Sequence, residues 1–73
     1  MMEHLKFNIR ATRESLGYSQ EYMALKLGIG QNGYSKIELG YTRITVERLF
    51  EIARILNIEV FTLLNAPIVN AVA

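Results

Sequence analysis

Glycine follows directly on three short apolar-periodic stretches of this chain, at Gly17, Gly28 and Gly40. Glycine just past a periodic stretch is the usual way for a helix to end. The chain can therefore build only short helices, each needing neighbours to be stable. Leu5, Ile9, Thr12 and Leu16 recur at i, i+4, i+7 and i+11, the spacing of a half-buried helix, and Gly17 ends it. Ser19 opens a second helix, SQEYMALKL, and its hydroxyl suits the free amides of the first turn. Met23, Ala24 and Leu27 form its inner stripe. A third segment, QNGYSKIEL, carries Tyr34 and Ile37 three apart and closes at Gly40.

After the loop YTRI, Thr45 opens a fourth helix, TVERLFEIARIL. Its inner face is Val46, Leu49, Ile52, Ala53 and Leu56, and Asn57 suits a left-handed helix end. VFTLL makes a last helical turn, and Pro67 breaks any continuation. Residues 68–72 are the only candidate strand. The expected fold is all-α: five short helices in one domain over residues 1–65, followed by a short apolar tail over 66–73.

Composition narrows the function. At 73 residues and about half apolar, the chain is near the lower size limit for a self-sufficient core. It has no cysteine, which removes disulfides, thiolate zinc sites and cysteine nucleophiles. One histidine, His4, makes neither a metal site nor a triad and reads as a surface residue. No metal, cofactor or small-molecule ligand is expected, and without a paired acid–base set an enzyme is not expected either. No apolar run approaches a membrane span, and the N-terminus lacks a signal-peptide core. A reducing cytoplasm is the expected setting. The net charge of +1 is small for a nucleic-acid binder, so any basic footprint must come from local clustering.

The stretch GIGQNG, residues 28–33, fits the glycine pattern of dinucleotide-binding folds. That reading needs a strand before the glycines and a helix after them, and here the preceding segment is helical. A doubly wound sheet also needs far more chain. The glycines instead mark a turn between two helices, the arrangement of a helix-turn-helix unit.

From Ile9 to about Leu64 the sequence resembles the Cro/C1-type (XRE) helix-turn-helix domains. The resemblance is carried by IRATRESLGYSQ, MALKLGI, YSKIELG and VERLFEIARILNI, in that order and spacing. It implies a five-helix, lambda-repressor-like bundle that binds operator DNA, often as a dimer, and regulates transcription. It places base reading on Gln31, Asn32 and Lys36, whose amides and ammonium match adenine and guanine edges. Ser35 beside Lys36 can donate to a phosphate. The resemblance puts Gln20 at the DNA backbone and lays Tyr41, Thr42 and Arg43 along it. It also makes Arg13 and Glu38 a largely buried ion pair joining the first and third helices.

Four positions depart from the family's pattern. Gly30 stands in place of a serine or threonine cap, Thr12 in place of leucine, and Tyr34 in place of isoleucine or valine. Gly33, inside the third helix, costs about 1 kcal/mol against alanine. Its missing side chain either admits a phosphate or sugar or is tolerated drift.

Phe50, Ile55, Phe61 and Leu64 do not fit the inner stripes, and an exposed apolar patch implies a partner. In the resembled family the dimer surface lies around these helices. The expected assembly is therefore a two-fold homodimer on palindromic double-stranded DNA, with the tail either joining that surface or disordered. A competing reading is a protein–protein adaptor or antitoxin-type module with little DNA binding. The placement of Lys6, Arg10, Lys26, Lys36 and Arg43 separates the two: one basic face favours DNA, and scattered charges favour the adaptor.

Overall fold

The structure, a computed structural model, describes residues 3–68. The described residues form five α-helices and no strand: α1 (Leu5–Ser15), α2 (Gln20–Leu27), α3 (Gln31–Leu39), α4 (Val46–Leu56) and α5 (Val60–Leu64). Most of the tail and of the candidate strand at 68–72 lies outside the described residues.

The helix boundaries follow local chemistry. The Ser19 hydroxyl accepts from the Tyr22 amide at 2.9 Å, and the Thr45 hydroxyl accepts from the Arg48 amide at 3.1 Å. Each cap contributes about 1 kcal/mol. At the end of α2 the chain reverses through Gly28, whose φ of +72° is costly for a side-chain-bearing residue. The Ile29 amide then returns to the Ala24 carbonyl at 3.0 Å. Asn57, with φ of +54°, ends α4.

Every helix supplies the core. Leu5 and Ile9, Met23 and Ala24, Tyr34 and Ile37, Leu49, Ile52, Ala53 and Leu56, and Leu63 form one buried cluster. Burying a large apolar side chain contributes about 1.5–3 kcal/mol, and this packing holds helices as short as α5.

Two expected inner residues lie outside. Leu16 is exposed because it follows the last turn of α1, where the chain turns away toward Gly17. Val46 is 71% exposed because it is the first residue of α4, and the core-facing stripe begins at Leu49.

Two polar side chains enter the core from α1. Asn8 is fully buried. Its Nδ2 donates to the carbonyls of Leu63 at 3.0 Å, Asn65 at 3.3 Å and Ala66 at 3.3 Å. Its Oδ1 accepts from the Ile68 amide at 2.7 Å. One asparagine thus satisfies one carbonyl that α5 leaves open at its end and two more in the chain that follows it. Thr12 is also buried, and its hydroxyl has no hydrogen-bond partner.

Candidate nucleic-acid interface

The unit α2–turn–α3 places two helices around the short connection 28–30. α3 divides cleanly by burial. Tyr34, Ile37 and Glu38 face inward, whereas Gln31, Asn32, Gly33, Lys36 and Leu39 are exposed and Ser35 is half-buried. Asn32 and Lys36 are four apart and therefore share one outer stripe. Gly30, the residue before α3, brings no side chain to cap it. The first-turn amides of α3 thus keep their partial positive charge for whatever approaches.

A buried polar network fixes the angle at which α3 is held. Arg13 of α1 donates to both oxygens of Glu38, Nε to Oε2 at 2.6 Å and Nη2 to Oε1 at 3.1 Å. The two side chains are 10% and 3% exposed. Arg13 Nη1 also donates to the Tyr18 carbonyl at 2.8 Å, tying in the α1–α2 connection. The Tyr34 hydroxyl donates to Glu38 Oε2, and Gln20 Nε2 donates to Glu38 Oε1 at 3.1 Å. Glu38 therefore gathers α1, α2 and α3 at one carboxylate.

The charge states follow. Burial alone would raise Glu38, but the hydrogen bonds from Arg13, Tyr34 and Gln20 outweigh it and hold the carboxyl below its ordinary range. The hydrogen bond to Glu38 raises Arg13 against the opposing effect of burial. Burial, then the bond to ionised Glu38, pushes the Tyr34 phenol far above its ordinary value. The network is an ion pair with a neutral phenol donor.

Gln20 is half-buried with its side chain turned to Glu38, so its amide side chain orients α3 from behind. Tyr41, Thr42 and Arg43 lie exposed on the α3–α4 loop. Gly40 starts that loop with φ of +83°, and the Lys6 chain occupies the space where a Cβ would stand. Lys6 and Arg43 line one cleft at this end of α3, and Arg43 and Arg48 line a second beside Gly33. Arg10 and Lys26 line neither cleft: Arg10 pairs with Glu14 at 3.1 Å, and Lys26 sits over the Tyr22 ring at 5.8 Å. The positive charge is therefore partly clustered, around α3 and the loop after it.

The apolar residues left over sit at α4 and α5. Phe50 and Phe61 are 56% and 73% exposed and line one cleft together. Ile55 and Leu64 are half-buried and pack on the core cluster.

Sequence reasoning missed three contributors. Asn8 stands three residues after Leu5 on the inner stripe, a polar residue where a core residue belongs. Tyr34 precedes Glu38 by four, the spacing that lets its hydroxyl reach the carboxylate. Arg48 carries no signal in the sequence beyond its place in the fourth helix. It pairs with Glu51 at 2.9 Å beside the loop.

A family profile described as helix-turn-helix matches residues 9–63, which includes all of α2, α3 and α4 and most of α1 and α5. The chain belongs to the Cro/C1-type helix-turn-helix family. Within this helix-turn-helix family, it is 40% identical over 65 residues to an uncharacterized HTH-type transcriptional regulator of Sinorhizobium medicae (strain WSM419), covering 88% of this chain and 47% of that one. An uncharacterized HTH-type transcriptional regulator of Rhizobium meliloti (strain 1021) is similar to the same extent, 40% over 65 residues with 88% and 47% covered. This helix-turn-helix chain thus spans about half the length of the curated relatives it matches. No solved structure matches it at comparable significance.

Proposed function

We propose that this helix-turn-helix domain binds double-stranded DNA sequence-specifically and regulates transcription, as a repressor or controller, with α3 in the major groove. The observation that carries the reading is the outward stripe of α3. Gln31, Asn32 and Lys36 are free to meet base edges, while Arg13, Gln20 and Tyr34 hold the same helix from inside through Glu38. Side-chain amides donate and accept together, which suits adenine, and a lysine suits guanine or a phosphate. Ser35, Tyr41, Thr42 and Arg43 take the sugar-phosphate rails on either side, and the amides at the start of α2 by Gln20 take a further phosphate. The names of the two relatives support regulation. Such a regulator works in the compartment that holds the DNA, here read as the cytoplasm.

The assembly we propose is a two-fold dimer through the exposed Phe50 and Phe61, with the half-buried Ile55 and Leu64 contributing their exposed parts. It would present two copies of α3 about 34 Å apart to a palindromic operator. A titration of duplex DNA over a salt series tests binding. Affinity falls with a log–log slope of about −0.9 per phosphate neutralised, and a salt-independent interaction contradicts the reading in favour of a protein adaptor. Sedimentation at micromolar concentration tests the dimer, and a clean monomer rejects it.

A further inference from the structure

α3 carries a glycine at its third residue, and nothing inside the protein requires one. Gly33 has ordinary helical backbone, unlike Gly17, Gly28 and Gly40. A Cβ built there meets only Ile29 Cδ1, at 3.9 Å, an ordinary contact. Glycine inside a helix is less stable than alanine because its backbone loses more freedom on folding. The chain thus carries a destabilising residue on the exposed face of a short helix, with no internal clash to explain it.

What surrounds Gly33 supplies a reason. It borders a shallow cleft of about 320 Å³ between α3 and residues 42–48. Ile29, Ile37, Thr42, Arg43, Thr45 and Arg48 line the cleft with it, and none of them is a carboxylate. In contrast, Glu59 lines the cleft between α4 and α5, and Glu3 lines the one beside Leu5. Arg48 is steadied by Glu51 at 2.9 Å and by the Leu27 carbonyl at 3.4 Å. Arg43 is exposed and makes no ion pair among the described residues. Gly33 itself belongs to the uncapped first turn of α3, whose amides carry partial positive charge.

We infer that this cleft seats one DNA backbone phosphate, and that Gly33 lacks a side chain so that the phosphate can lie against the α3 backbone within reach of Arg43. The inference rests on the DNA-binding reading and adds a contact to it. A methyl group at position 33 would stand in the cleft and push the phosphate outward. Stability and affinity should therefore move in opposite directions there.

The test compares wild type, Gly33→Ala, Arg43→Ala and the double variant by thermal melting and by binding to one short random-sequence duplex over a salt series. Gly33→Ala is expected to melt about 4–8 °C higher. It is expected to bind about tenfold more weakly, the loss of one charged contact. Its log–log salt slope should be shallower by about 0.9, one phosphate. Arg43→Ala should lose the same slope, and the double variant no more than the weaker single, because both act on one group. Wild-type affinity and slope in Gly33→Ala overturn the inference and leave the DNA-binding reading standing. A lower melting temperature overturns it too, since the glycine would then have an internal purpose. Failure of wild type to bind any duplex overturns both.

Discussion

Arg13 Nε lies 2.6 Å from Glu38 Oε2, and the two side chains are almost wholly withdrawn from solvent. The pair joins the first helix to the last turn of α3. The outer residues of α3 are therefore aimed by a contact on its opposite face. Breaking a buried pair from one side is costly because the other charge stays behind without compensation.

Glu38→Ala is expected to lower stability by about 3 kcal/mol, measured by urea denaturation. Arg13→Ala is expected to lose a similar amount. Tyr34→Phe, which removes one hydrogen bond to a charged acceptor and leaves the ring in place, is expected to lose about 1.5–3 kcal/mol. An unchanged urea midpoint for Glu38→Ala would show that the network does not hold α3.

The same network sets a pH dependence with a definite sign. Glu38 is held below its ordinary value in the folded protein, so its stabilising effect is complete above about pH 4.5. It is lost as the pH falls from there through the folded value, because the unfolded chain takes up the proton first. Tyr34 is raised in the folded protein, so its effect is present below about pH 10 and is lost as the pH rises beyond that. Urea midpoints for wild type and Glu38→Gln between pH 6 and 3 should converge on the acid side. Parallel curves would mean that Glu38 does not titrate anomalously.

Thr12 offers a change in the other direction. Its buried hydroxyl has no partner, and valine has nearly the same shape. Thr12→Val is expected to raise stability by about 1 kcal/mol, since an unsatisfied buried polar group costs about that or more. A loss of stability would place an ordered water or another acceptor at that hydroxyl.

Asn8 governs how the chain leaves α5. Its four hydrogen bonds all go to backbone beyond residue 62. Asn8→Asp keeps the acceptor for Ile68 but loses all three donations. It is expected to lower stability by about 2–3 kcal/mol at neutral pH and to speed amide exchange in α5 more than in α2 or α3. Uniform exchange across all helices would deny it a local role.

The helix ends were legible because they depend on neighbours in sequence: Ser19 and Thr45 cap the helix that follows each, and Gly28 and Asn57 close the helix before each. The inner stripes of α2 and α3 were legible for the same reason, since period alone places Met23, Tyr34 and Ile37. The roles of Asn8 and the Tyr34 hydroxyl were not. Asn8 meets partners 55 to 60 residues away. The spacing of Tyr34 and Glu38 was visible, but the burial that makes their bond matter comes from α1 and α2 packing on α3. Gln20 shows the same limit. Its place at the start of α2 can be read from sequence, while the turn of its side chain toward Glu38 depends on how α2 and α3 pack.

Base reading by the outward stripe of α3 is what the proposed function rests on. The most direct measurement is selection of bound sequences from a random duplex pool, run in parallel with wild type and Asn32→Ala. Wild type is expected to enrich a palindrome, and Asn32→Ala to relax the preference at one symmetric pair of positions, leaving the others intact. No enrichment by wild type, or the same enriched site with both proteins, would contradict it.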